Sequence, residues 1–207
     1  MAAEVTASTT ALVTLDEEKI FLQLALDNNK EDTILQDLIN GVSESVVKYM
    51  KRDLISTAHT ELRDGNGRNT MWLLHWPIID ATAGGTDPVL MLDDDGDDTW
   101  EAASTYAITL KWDKITGEIW LKDKDVFPKG QRNLKFVYTA GYATSASIPA
   151  DIKLGVKKLV GIYREEMSGG KLGVRSISIA NEATTYDFGT WPADIRAIFD
   201  RNRRIDL

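Results

Sequence analysis

Apolar residues recur every three or four positions in three stretches of this chain, and between the second and third stretch they alternate with polar ones. That change of period separates helix from strand. The first stretch begins at Thr14, with Glu17 three residues on, the spacing of a capping box, and it predicts a short helix over 15–24. Asn28 and Asn29 break that helix and stand where they can cap the next one. There Ile34, Leu38, Val42, Val46 and Tyr49 make an apolar stripe, widened by Leu35, Ile39 and Met50. On its exposed face Glu44 and Lys48 have the favourable i to i+4 order.

From 55 to 140 the period is that of strands. Leu134, Phe136 and Tyr138 fall on one side of a strand, as do Ile108, Leu110 and Trp112. Asp64-Gly65-Asn66-Gly67 sits between strand-like segments, and 113–117 separates LKW from EIWL as a short hairpin loop. The helical period returns after Ala146 or Ser147, with Pro149 in the first turn, where its missing N–H costs nothing. Ile152, Val156, Leu159, Tyr163 and Met167 form the stripe of this third helix, and Ser168-Gly169-Gly170 ends it. Gly155 and Gly161 each weaken it by about 1 kcal/mol relative to alanine, which predicts close approach of another backbone. Alternation over 174–180 predicts a hairpin arm or extended strand, and 192–199 a last short helix.

These elements predict an α+β fold: a small helical bundle of three long helices plus a short C-terminal helix, with an antiparallel β unit inserted between helices two and three. The predicted division is a flexible N-terminus over 1–11, a helical domain over 12–54 and 146–207 that includes the arm and C-terminal tail, and the inserted β unit over 55–140.

Composition narrows the function. A chain of 207 residues, 43% hydrophobic, buries one core or one core with a satellite. No stretch approaches the roughly 18 consecutive apolar residues of a membrane span. The opening MAAEVTASTT has neither a basic start nor an apolar run, so a cytosolic or particle-bound chain is expected. Cysteine is absent, which excludes disulfides and thiolate metal sites. With 24 basic and 32 acidic side chains the net charge is -8, which opposes a tight grip on a phosphate backbone.

Little in the sequence points to catalysis. The run Asp93-Asp94-Asp95-Gly96-Asp97-Asp98 has the oxygen ligands calcium needs, but with Gly96 at the sixth place of an EF-hand loop Met91 falls at the first and Ala102 at the twelfth, where carboxylates are required. A solvated hairpin tip is the better reading. His59 and His75 are the only neutral-pH proton carriers, and His75, between Leu74 and Trp76, suits a partly buried strand end. There is no G-x-S-x-G elbow and no phosphate-binding loop. No enzyme, cofactor or metal site is therefore predicted. Trp72, Trp76, Trp100, Trp112 and Trp120 fall in the β unit, where core packing is favoured over a sugar platform. That platform, in a carbohydrate-binding or wall-associated accessory module, is the alternative function. Arg201, Arg203 and Arg204, interrupted by Asn202, make either a solvated end or a group that reaches a groove on a partner.

Two blocks carry a family resemblance. They are LVTLDEEKIFLQLALDNNKEDTILQDLINGVSESVVKYMKRDL over 12–54 and NLKFVYTAGYATSASIPADIKLGVKKLVGIYREE over 133–166. Together they resemble the head-to-tail connector (adaptor) proteins of tailed bacteriophages. LGVRSISIANEATTYDF resembles the arm after the third helix in that family, and IFDRNRRIDL its closing helix and Arg-Arg tail. Gly155 and Gly161 depart from the pattern, which leads one to expect alanine. The resemblance implies a non-enzymatic ring of twelve subunits between the portal protein and the next tail-completion (stopper) protein, with DNA passing through the lumen without specific binding. It also implies a place at the head-tail interface of the virion, with assembly in the host cytoplasm and no membrane contact. The residues it offers for partner contact are Arg175, Ile177, Ile179, Tyr186 and Phe188 in the arm, and Arg201, Arg203, Arg204 and Leu207 in the tail.

Overall fold

The fold was taken from a computed structural model, which describes residues 6–168, 176–179, 182–185 and 191–204. The chain divides into two compact units, Met1–Lys51 with Ile148–Leu207, and Arg52–Ser147.

In the first unit, α1 (Leu15–Phe21) starts at Thr14, whose extended backbone lets its hydroxyl accept a hydrogen bond from the Glu17 N–H at 3.2 Å. Glu17 does not complete the capping box: its carboxylate pairs instead with Lys153 at 2.5 Å and Lys157 at 3.6 Å. The chain leaves the helix at Gln23, which takes a φ of 56°. In α2 (Asp32–Met50) the buried line is Leu35, Ile39, Val42, Val46 and Met50, while Ile34 is exposed and Leu38 and Tyr49 are half-buried. The stripe is thus rotated by about one residue from the predicted one. α3 (Ala150–Ser168) buries Ile152, Val156, Leu159 and Val160, and α4 (Ala193–Asn202) buries Ile195 and Phe199. α2 packs against α3, and α4 against both.

The second unit holds two antiparallel sheets. β1 (Thr57–Gly65), β7 (Gly130–Ala140), β3 (Val89–Leu92) and β4 (Glu101–Ala102) form one, in that order. β2 (Thr70–Trp72), β6 (Glu118–Leu121) and β5 (Leu110–Trp112) form the other. Leu134, Phe136, Tyr138 and Ala140 of β7 turn inward and share one core with Leu90, Leu92, Met71, Ile119, Leu121 and Phe127. Burying each such large apolar side chain contributes about 1.5–3 kcal/mol, so this face of β7 fixes its register. Gly65 is required where β1 ends, because a Cβ there would lie 1.6 Å from the Pro128 carbonyl oxygen. The β5–β6 loop closes as predicted, with Asp113 Oδ1 accepting from the N–H groups of Ile115 and Thr116 and Gly117 at a φ of 71°. Two further strands, β8 (Ser176–Ile179) and β9 (Glu182–Thr185), belong to the first unit and pair antiparallel with Ile177 opposite Thr184.

The predicted bundle of three long helices with an inserted β unit is not what forms. Among the described residues only α2 and α3 are long, at 19 residues each, whereas α1 has seven. The strands make a four-stranded and a three-stranded sheet over Arg52–Ser147, more than an insertion. The physical reason lies in strand length: β2, β3 and β4 have three, four and two residues, too few to show an alternating period.

Candidate functional site

The C-terminal segment is built onto the helices through two aromatic contacts. Phe199 fits against the bare backbone of Gly155 in α3, where an added Cβ would lie 2.8 Å from Phe199 Cζ. Trp191, entering α4, meets Phe199 edge-on at 5.3 Å and Tyr49 at 5.0 Å. The Tyr49 hydroxyl donates to Asp200 Oδ1 at 2.5 Å and accepts from Arg196 Nε at 3.1 Å. The close approach that the helix-three glycines predicted is therefore made by a ring at Gly155 and by the Leu22 side chain, 3.3 Å from a Cβ placed at Gly161, rather than by backbone.

The three arginines of the tail do not act as one patch. Arg203 lies with its guanidinium 5.2 Å from the centre of the Tyr49 ring, a cation–π contact. The Arg204 N–H donates to the Met50 carbonyl at 2.9 Å, satisfying an orphan group at the end of α2. Arg201 is exposed and donates to the Ala197 carbonyl one turn back. Of the arm residues, Ile177 and Ile179 fall in β8, while Arg175, Tyr186 and Phe188 lie outside the described residues, as does Leu207 of the tail. Beside Trp191 runs an open groove of about 310 Å³ lined by Leu38, Val42 and Tyr163, with Asp37 and Ser45 at its polar side.

Charge is arranged for cohesion within this unit. Arg164 holds Glu31 at 2.7 Å and its bond keeps that carboxyl below the usual range. Lys19, buried, pairs with Asp32 at 2.6 Å and donates to the Leu26 carbonyl. Glu18 is fully buried on α1; desolvation pushes its pKa up to about 8, against the pull of Lys157 and with a smaller push from Glu17.

In the β unit the acidic run forms the β3–β4 connection, and its carboxylates are spent on the turn itself. Asp93 accepts from the Gly96 and Asp98 N–H groups, Asp95 from Asp97 and Asp97 from Thr99. None of the six tryptophans is buried, so the core is made by Leu, Ile, Phe, Met and Tyr, with Trp112 packed at its edge. Trp72, 53% exposed, and Trp120 lie on the face of the three-stranded sheet opposite Met71 and Ile119. One other cluster has no signature in local spacing: His59 and His75 stack with ring centres 3.8 Å apart, beside Asp53. Burial, then the neighbouring imidazole, holds the His59 pKa below the ordinary histidine range, against the pull of Asp53 and Glu61.

This α+β chain has counterparts among solved structures. It shares its fold with a chain from the neck of an empty gene transfer agent particle computed with C6 symmetry (TM-score 0.57, 21% identity, covering 100% of this chain and 97% of that one). The same holds for a chain from the native particle's neck computed with C12 symmetry (0.56, 20%, 100% and 97%) and one from the native virion (0.56, 20%, 98% and 94%). Residues 11–205 match the model of the head completion protein family, and the chain belongs to that family. This bears out the connector resemblance of the two sequence blocks. No curated protein matches the chain.

Proposed function

We propose that this protein is a structural, non-enzymatic connector at the head–tail joint of a tailed phage or a related particle, in which twelve copies close into a ring beneath the portal and DNA passes through the lumen. The observation that carries this reading is the family match over 11–205, supported by a fold shared end to end with particle-neck chains, one of them from a neck computed with C12 symmetry. A heterologous contact that closes under rotation yields such a ring. A net charge of -8 suits a channel wall that must release passing phosphates. The arm over 172–188 and the end over 198–207 are assigned to the portal contact, with the exposed Arg201 taking part, and the next tail-completion (stopper) protein is assigned to the opposite rim. The working location is the virion, with assembly in the host cytoplasm. Among the described residues no helix is long and apolar enough to cross a membrane.

Co-sedimentation with purified portal tests this. The full chain sediments with portal, while Arg201→Glu and a form lacking 205–207 stay behind with unchanged circular dichroism. Equal sedimentation of all three would remove the C-terminal segment from the contact.

The outward pair Trp72 and Trp120 is the one feature that favours a carbohydrate-binding module instead. Binding on a glycan array that Trp72→Ala abolishes would establish it, and a blank array would retire it.

A further inference from the structure

We propose that Asp53, His59 and His75 form a site for a divalent transition-metal ion, with zinc the first candidate, that clips the two sheets of the β unit to each other. His59 is in β1 of the four-stranded sheet, Asp53 lies shortly before it, and His75 follows β2 of the three-stranded sheet. His59 Nε2 and His75 Nδ1 each stand 3.5 Å from the same atom, Asp53 Oδ2. All three donor atoms lie within 4.8 Å of one another. A tetrahedron with arms of about 2.0–2.1 Å has edges of about 3.3–3.4 Å, so the two nitrogen–oxygen separations are close to those of a zinc site and longer than an ordinary hydrogen bond.

The backbone around these donors is well anchored. The two imidazoles are stacked with 11° between their planes, so binding turns one ring about its Cβ–Cγ bond to bring both in-plane lone pairs onto the ion. His59 is paired in register with Tyr138, whose hydroxyl accepts the backbone N–H of His75 at 3.2 Å. The next N–H back, of Leu74, donates to Glu61 Oε1 at 2.9 Å. His59 Nε2 is buried with no hydrogen-bond partner, and a metal bond accounts for that atom. Glu61 adds a second negative charge near His59, and the neighbouring cation Arg52 has its guanidinium over the Trp76 ring, 5.2 Å from its centre. Two imidazole nitrogens and one carboxylate oxygen select zinc and its neighbours over calcium or magnesium. The side chain of Asp53 is 39% exposed, so the fourth position opens to water. The acidic β3–β4 tip brings Asp93, Asp95 and Asp97 together but offers oxygen donors alone, a set suited to calcium or magnesium rather than to zinc.

The test uses chelator-dialysed full chain without a histidine tag, titrated with zinc by calorimetry and with cobalt by visible absorption. One ion per chain, the ligand-field absorption of four-coordinate cobalt and a zinc-dependent rise in melting temperature are expected. His59→Gln and His75→Gln each weaken zinc by at least about tenfold and remove the cobalt absorption, while Asp95→Asn with Asp97→Asn changes neither. Should His59→Gln fail to fold, the more exposed His75→Gln carries the comparison. Absence of cobalt absorption in the wild type, or wild-type zinc affinity in the folded histidine variants, overturns the proposal.

Discussion

The ring of Phe199 fills the space that a side chain at Gly155 would need, with Cζ only 2.8 Å from where a Cβ would be. This contact seats α4 on α3, and it explains why a glycine is kept in the middle of a helix. Gly155→Ala is expected to destabilise by about 1–3 kcal/mol through overpacking, exceeding the roughly 1 kcal/mol gained in helix propensity. Urea unfolding checks the sign.

Gly41, in the middle of α2, has nothing within 4 Å of its Cβ position. Gly41→Ala is therefore expected to stabilise by up to about 1 kcal/mol, and a loss of stability would show that this face of α2 is occupied in solution.

Glu18 makes the helical unit sensitive to alkali. Its carboxyl is protonated in the folded chain up to about pH 8 but would ionise near 4.5 once unfolded. The folded state therefore binds the extra proton between those values, so this group's contribution is complete below about 4.5 and is lost as pH rises through about 8. Melting curves between pH 5 and 9 (~2 units either side of neutrality) are expected to show this decline in the wild type and a smaller one in Glu18→Gln. Parallel curves for the two proteins would contradict it.

Glu61 anchors the second unit. Its Oε1 accepts from the Tyr138 hydroxyl and from the Leu74 N–H, tying β1 to β7 and to the segment after β2. Burial and the adjacent Glu61 carboxylate push the Tyr138 phenol well above its ordinary pKa, so it stays a donor. Glu61→Leu strands both donors and is expected to cost about 1–3 kcal/mol for each, read as an earlier unfolding midpoint.

Much of this arrangement could be read in advance where the period was long enough. The Thr14 cap, the two 19-residue helices, the inward face of β7 and the β5–β6 loop all follow from local spacing. What escaped depends on contacts between distant positions. Gly155 signalled a close approach but not that a phenylalanine ring makes it, and Arg203 gave no hint that it stacks on Tyr49. The triad of Asp53, His59 and His75 escaped for the same reason: the short β2 that delivers His75 has no period of its own, and the residues meet only once both sheets have formed.

Electron microscopy of the purified chain mixed with its portal bears on the connector proposal most heavily. A ring of this protein capping one end of the portal, twelvefold in averaged views as in the C12 neck, is the predicted result. Portal particles with no added density, the chain remaining free beside them at saturating concentration, would contradict it.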